Sequence, residues 1–205
     1  MNTVEAVARA GRPITRDREH LLVTAMRAYW HDERATVSIN AICELAGVSK
    51  PSLYREFGSE DGLTAGALDH YAQTVLASME DLLSGPASHD QKLDALIDFA
   101  CDDPRMAAGC LFVKMRAVRS RWGLQTQTKI TAIEAGVLAR FVQFFEQAAI
   151  HGGGHAAVPP PLAASYLHEQ FGLAFAQRAA GKDPASVRQL LVLALSVLRQ
   201  SDGRA

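Results

Sequence analysis

Apolar residues recur every three or four positions through most of this 205-residue chain. That spacing places them on one face of an α-helix, and it predicts an all-α fold. Longer helices are predicted over residues 15–31, 59–83, 92–101, 126–150, 162–180 and 187–198. A stretch between the first two of these has a different organisation and gives the clearest indication of function.

This stretch, residues 36–63, predicts two short helices joined by a tight turn. Ser38 is a suitable N-cap for the first of them. Gly47 fits the left-handed position that often ends a helix, and Val48 can make the hydrophobic contact that accompanies it. The residues predicted to form the buried face of the first helix are Ile39, Ile42 and Leu45.

The second short helix is predicted to be capped by Ser49, with Pro51 in its first turn, where a missing N–H costs little. Leu53 and Phe57 are expected to face inward. The side chains left to point away from the core are Lys50, Ser52, Tyr54, Arg55 and Glu56. Two short helices of this kind, followed at once by a longer one, are typical of a helix-turn-helix that reads duplex DNA.

Three regions are expected along the chain: a flexible arm at residues 1–13, a helix-turn-helix domain at residues 14–58 and a larger helical body at residues 59–205. The sequence GRP at the end of the arm breaks any helix begun upstream. The arm and the residues just after it carry Arg9, Arg12 and Arg16. Two interpretations stay open for the arm: a disordered terminus, or a segment that touches DNA phosphate or the minor groove.

Net charge gives no general signal for nucleic acid or membrane, because it is only −1. Residues 9–55 carry eight basic side chains against five acidic ones, which is weak support for DNA binding by the N-terminal part. No apolar run reaches the roughly 18 residues needed to cross a bilayer, and the N-terminus lacks a secretory signal. A cytoplasmic protein without a membrane partner is therefore expected.

The cysteines and histidines do not form a metal-binding pattern. Cys43, Cys101 and Cys110 are odd in number and lack CxxC spacing, so neither a disulfide framework nor a zinc site is expected. His151 and His155 flank a run of glycines without an adjacent acid or cysteine, which makes a poor metal site. We expect no metal and no cofactor.

The sequence AGVSKPSLYREF at residues 46–57 resembles the DNA-binding domain of the TetR (tetracycline repressor) family of bacterial transcriptional regulators. The resemblance implies an all-α homodimer with a three-helix head and a larger ligand-binding and dimerisation body. It also implies repression at a pseudo-palindromic operator, relieved when an unknown small-molecule inducer binds. No nucleophile–base pair, phosphate-binding glycine loop or metal spacing supports an enzyme, so none is expected.

The same resemblance implies phosphate contacts from Ser38 and Tyr54. It implies a backbone contact from Lys50 and a position near base edges for Ser52. The full set of expected DNA-binding residues is Ser38, Ser49, Lys50, Ser52, Tyr54 and Arg55. Plain helix capping stays open as the alternative role of Ser38 and Ser49.

The chain departs from the family pattern at three positions. Glu56 stands where members usually carry histidine, and Glu60 where a lysine often contacts phosphate. An acid near DNA repels phosphate, so Glu56 is expected to face away or to accept a hydrogen bond from a cytosine amino group. Cys43 replaces an alanine and is expected to be a small buried side chain where two helices cross.

In the body, the segment GCLFV at residues 109–113 also resembles the regulatory part of many family members. The candidates for an apolar ligand pocket are Phe99, Cys110, Phe112, Met115, Trp122, Phe141 and Phe175, and each fits a simple core role equally well. Four basic side chains follow closely: Lys114, Arg116, Arg119 and Arg121. They form either a solvated helix face or partners for an anionic ligand or for an acid of a second subunit.

The last predicted helix is apolar almost all round, which requires burial on more than one side. A four-helix contact between the last helices of two subunits would provide that burial. Two other functions stay open: a helical ligand-binding protein without specific DNA binding, and a redox sensor that uses Cys101 and Cys110.

Overall fold

The computed structural model describes residues 14–32, 37–151 and 158–199, with side chains from Arg18 onward. All regular structure in these ranges is helical, which confirms the predicted all-α fold. The helices are α1 (Ile14–His31), α2 (Ile39–Ala46), α3 (Lys50–Phe57), α4 (Glu60–Tyr71), α5 (Ala77–Ser84), α6 (His89–Cys101), α7 (Leu111–Ala117), α8 (Leu124–Ile150), α9 (Pro160–Ala179) and α10 (Pro184–Leu195). Short 3₁₀ segments are Pro104–Ala108, Arg119–Arg121 and Ser196–Leu198. The predicted arm at residues 1–13, the Arg16 side chain and His155 lie outside the described residues.

Capping side chains and one left-handed glycine define the start and end of α2. Ser38 Oγ accepts a hydrogen bond from the Ala41 N–H at 3.3 Å. At the other end Gly47 has a φ of 65°, and the Val48 N–H donates to the Cys43 carbonyl at 3.0 Å. This confirms the predicted helix end, because a positive φ followed by such a bond is a common way for a helix to stop.

The predicted burial of Leu45 is wrong, since its side chain is 65% exposed. The buried positions of α2 are Ile39, Ile42 and Cys43. At 100° per residue, Leu45 lies about 110° from the centre of the face that these three side chains form. Cys43 therefore occupies the inward position, as a small buried side chain.

The long helix predicted from residue 59 is confirmed as one rod with a local irregularity. α4 and α5 are joined by a π-helical segment, Ala72–Leu76, in which each turn takes in an extra residue. α4 packs against both α1 and α8. α8 in turn packs on α9, and α9 on α10.

One apolar core runs from the N-terminal helices into the body. Ile42 and Leu53 of the head belong to the same cluster of buried side chains as Leu111 and Met115 of the body. The predicted domain boundary at residue 58 is therefore crossed by continuous packing, and it stays a prediction. None of the described helices is long and apolar enough to cross a membrane.

Candidate nucleic-acid interface

α3 has one buried anchor and a surface of exposed polar side chains. Leu53 is fully buried, which fixes the rotation of this short helix about its axis. Ser49 caps its N-terminus by accepting a hydrogen bond from the Ser52 N–H at 3.4 Å. Lys50 and Arg55 are exposed and bring positive charge to the surface of α3.

Arg55 is held in place by its neighbours on α3. Its Nη2 donates a hydrogen bond to Ser52 Oγ at 3.0 Å. Its Nε lies 4.0 Å from the Glu56 carboxylate, and the side chains are 72% and 21% exposed respectively. The guanidinium is thus available to a phosphate or a guanine edge, while the carboxylate of Glu56 is mostly shielded.

Tyr54 reaches across the turn between α3 and α4. Its hydroxyl donates a hydrogen bond to Glu60 Oε1 at 3.1 Å, and its side chain is 39% exposed. This hydrogen bond raises the pKa of Tyr54. Among the predicted DNA-binding residues, Lys50, Ser52, Tyr54 and Arg55 lie on α3, and Ser38 and Ser49 cap α2 and α3.

The C-terminal end of α1 is fastened to the body, which sequence reasoning did not anticipate. Trp30 Nε1 donates a hydrogen bond to the Gly109 carbonyl at 2.7 Å, and the Trp30 ring packs edge-on against Tyr71 at 4.8 Å between centroids. Lys114 Nζ donates to the Trp30 and Asp32 carbonyls at 2.8 and 3.1 Å. The negative C-terminal end of the α1 dipole also stabilises a cation at these carbonyls.

The start of α4 is fastened to α8 by a carboxylate. Asp61 accepts hydrogen bonds from the Gln125 N–H at 2.8 Å, the Thr126 N–H at 3.1 Å and the Thr126 hydroxyl at 2.6 Å. Two further ion pairs join the same rod to α8, one between Lys129 and Asp69 at 2.9 Å and the other between Arg140 and Glu80 at 3.3 Å. The helix that follows the turn after α3 is therefore tied to the body along its length.

Residues 21–67, from within α1 to within α4, match the family model described as bacterial regulatory proteins of the tetR family. Over these residues the chain is similar to tetR-family regulators. The chain is also 34% identical over 70 residues to the HTH-type transcriptional repressor ComR of Escherichia coli K12. Those 70 residues make up 34% of this chain and 33% of ComR. The match thus spans about a third of that relative.

The fold of most of the chain is similar to that of solved structures. The reduced form of E. coli NemR has a TM-score of 0.80 at 19% identity, over 91% of this chain and 99% of NemR. A cysteine-substituted CifR, a TetR-family regulator solved with a 26-base-pair operator duplex, has a TM-score of 0.72 at 21% identity, over 94% of this chain and 100% of CifR. At such identities these likenesses show the fold.

The candidates for ligand binding lie in the core of the helical body. Phe99, Cys110, Phe112, Met115, Phe141 and Phe175 are buried and Trp122 is partly buried. Phe99 and Phe175 meet edge to face at 6.4 Å, and the Tyr71 hydroxyl donates to Cys110 Sγ at 3.2 Å. Their role in binding a ligand stays a prediction.

A cavity of about 670 Å³ lies elsewhere, between the end of α5, the start of α6 and the end of α8, and none of those seven residues lines it. Its lining includes His89, Lys92, Arg140 and Phe144. The His89 ring stacks on Phe144 at 4.7 Å, and burial lowers the pKa of His89. The lining also includes Glu80, which pairs with Arg140, and a mixed apolar and charged lining of this kind suits a small amphipathic molecule.

Burial disfavours ionisation of two of the thiols. Cys101 and Cys110 are both 2% exposed, and burial raises the pKa of each. A thiol kept protonated is a poor nucleophile, which weighs against the redox-sensing alternative. In the described part of the chain, no group of three metal-binding side chains comes together.

The interpretation of the basic side chains of residues 114–121 as a solvated face is wrong for Lys114, Arg116 and Arg119, which bind other groups of the protein, whereas Arg121 is exposed. Lys114 binds the end of α1, as described above. Arg116 pairs with Glu134 at 2.8 Å and with Glu169 at 3.3 Å, and Arg119 donates to Thr131 Oγ1 at 2.5 Å. α7 packs against both α8 and α9, so acids and hydroxyls of those helices are within reach.

Proposed function

We propose that this protein is a dimeric transcriptional regulator, a repressor that binds operator DNA through α3 and is released by a small molecule bound in the body. The observation that carries this proposal is the polar, positively charged surface of α3 on a head of the TetR family. ComR is named as a repressor and CifR is bound to its operator, which supports the same role here.

DNA binding is supported by the chemistry of the head. Lys50 and Arg55 provide charge for phosphates, and a helix N-terminus, such as those of α2 and α3, favours phosphate through its N–H groups and its dipole. Ser38 and Ser49 act as caps, and each hydroxyl is exposed enough to approach DNA as well. Chromosomal DNA as the partner implies a cytoplasmic location.

Dimer formation is supported by apolar side chains that α9 and α10 leave uncovered. On α10 and the 3₁₀ turn after it, Leu190, Leu193 and Val197 recur at helical spacing and are 47%, 71% and 51% exposed. On α9, Leu162 and Leu173 are 61% and 55% exposed. Exposed apolar patches of this kind mark protein interfaces. A two-fold axis would bring each patch against the same patch of a second subunit.

Such a dimer would place two recognition helices about 34–36 Å apart, one turn of DNA, or a multiple of that distance. The operator would then consist of two half-sites related by symmetry. A ligand would release DNA only if it bound the state with wrongly spaced heads more tightly than the binding state. The ties from α1 and α4 to the body give such a ligand a physical route to the heads.

The proposal can be tested by selecting from a pool of random duplexes, mixed with duplexes from the DNA next to the coding sequence. The expected result is enrichment of one pseudo-palindrome, and loss of that enrichment with the variant Lys50→Ala/Arg55→Ala, checked for unchanged helix content. Retention of all duplexes equally, or of none, would contradict the proposal and leave the ligand-binding alternative.

A further inference from the structure

The hydrogen bond from Tyr54 to Glu60 has a consequence for DNA binding, and this inference rests on the function proposed above. A phenol has one proton to donate. In the structure the Tyr54 hydroxyl donates it to the Glu60 carboxylate at 3.1 Å. Any phosphate that approaches this hydroxyl therefore meets a donor already in use and an anion beside it.

The carboxylate is held where it is by the backbone around it. Gly58, with a φ of 74°, ends α3, and its N–H donates to the Tyr54 carbonyl at 2.8 Å. Ser59 caps α4 by accepting from the Gly62 N–H at 2.9 Å, and the Thr64 hydroxyl donates to the Glu60 carbonyl at 2.9 Å. Only a short, well-bonded turn separates the phenol from the carboxylate.

We propose that the Glu60 carboxylate competes with operator DNA for the Tyr54 hydroxyl. A DNA phosphate must displace this carboxylate before it can accept a hydrogen bond from Tyr54. The exchange replaces one anionic acceptor with another. The contact at Tyr54 therefore adds little affinity, and the displaced carboxylate stays close enough to repel the phosphate. Glu60 thus sets how tightly the head holds DNA.

The same turn links this competition to the body. Asp61, the next residue, accepts three hydrogen bonds from the first turn of α8. A shift of α8 would move the start of α4 and with it the carboxylate that faces Tyr54. Glu60 therefore lies between the part of the protein expected to bind a ligand and the surface expected to bind DNA.

A double-mutant cycle tests the proposal on the full-length protein. The affinity for the duplex enriched in the selection is measured for the wild type, Glu60→Gln, Tyr54→Phe and the double variant. Two unit charges about 5 Å apart in water repel by an amount that changes an equilibrium roughly fourfold. For a dimer with two half-sites this repulsion alone makes Glu60→Gln bind about 16-fold tighter. Release of the Tyr54 hydroxyl adds to that gain, so we expect a smaller gain in the Tyr54→Phe background.

Glu44→Gln is the matched control, because Glu44 is an exposed acid of α2 and its removal changes the head charge equally. Its effect should be the same with and without the Tyr54 hydroxyl. Weaker binding by Glu60→Gln, or a gain equally large in Tyr54→Phe, would overturn the proposal while leaving the repressor function intact. Absence of specific binding by every variant and by the wild type would contradict the repressor function itself, and this inference with it.

Discussion

The Asp61 carboxylate at the start of α4 caps the start of α8 at Thr126. It accepts hydrogen bonds from the Thr126 N–H at 3.1 Å and from the Thr126 hydroxyl at 2.6 Å, in addition to the Gln125 N–H at 2.8 Å. The residue before α8 is Gly123, which has no side chain to cap the helix. One helix thus satisfies the N-terminal donors of another, which couples the positions of the two helix ends.

Replacing Gly123 by alanine should break this cap. A Cβ at that position would lie 2.4 Å from Asp61 Cγ and 2.5 Å from Oδ2, so the carboxylate must move away. We expect Gly123→Ala to lower the free energy of unfolding by about 1–2 kcal/mol, the usual cost of losing an N-cap. Denaturant unfolding followed by circular dichroism measures this change.

Gly136 provides the control, because it lies inside α8 and a Cβ there would meet nothing within 4 Å. Gly136→Ala should be neutral or stabilising by about 0.5–1 kcal/mol, as alanine favours a helix interior. If both variants had the same stability, the importance of the Asp61 cap would be refuted.

The hydrogen bond from Trp30 to the Gly109 carbonyl should contribute to the stability of the fold. Trp30→Phe keeps an aromatic ring but removes the donor to a buried carbonyl at 2.7 Å. An unsatisfied buried acceptor costs about 1–3 kcal/mol, and we expect thermal unfolding at a correspondingly lower temperature. Trp122→Phe removes a similar bond, to the Met115 carbonyl at 3.0 Å, in a partly buried site, and should cost less. Equal losses of stability in the two variants would show that the Trp30 hydrogen bond contributes no more than the Trp122 hydrogen bond.

The exposed face of α9 and α10 predicts the oligomeric state. Leu193→Glu and Leu173→Glu each place a charge on that face, where the side chains are 71% and 55% exposed. Burying an unpaired carboxylate between two subunits is costly, so both variants should be monomeric in analytical ultracentrifugation. Leu124→Glu, at a side chain 79% exposed on α8, should stay dimeric. A wild type that is monomeric at micromolar concentration would contradict this prediction.

A phosphate contact made by Lys50 would contribute to the salt dependence of DNA binding. If Lys50 contacts phosphate, Lys50→Ala should weaken binding to every duplex and reduce the slope of log affinity against log salt by about one unit for each substituted head bound. Lys182→Ala removes the same charge from an exposed loop after α9 and should leave the slope unchanged. A loss confined to one duplex sequence would instead indicate base recognition.

Local signals explain why the head was predictable. The end of α2 depends on Gly47 and its neighbours alone, and its φ of 65° matches the expectation. The predicted burial of Leu45 was wrong because the spacing of apolar residues does not show which of two adjacent helix faces meets the neighbouring helix. α6 begins at His89, earlier than expected, because Ser88 and Gln91 form a capping box, a local signal that was available in the sequence.

Distant contacts explain what could not be predicted. Asp61 and Thr126 are 65 positions apart, and nothing in their local sequence says that the two helix ends meet. Glu60 was expected only to remove a phosphate contact. That its carboxylate accepts the hydrogen bond of Tyr54 depends on the angle between α3 and α4, which tertiary packing sets.

We propose that the head recognises one DNA sequence, and the most direct test compares two affinities. The Kd for the enriched duplex and for a shuffled duplex of the same composition would be measured by fluorescence anisotropy at one near-physiological salt concentration. Specific regulators prefer their site by at least about a thousandfold, and we predict a ratio in that range. Two Kd values within a few-fold of each other would contradict the account.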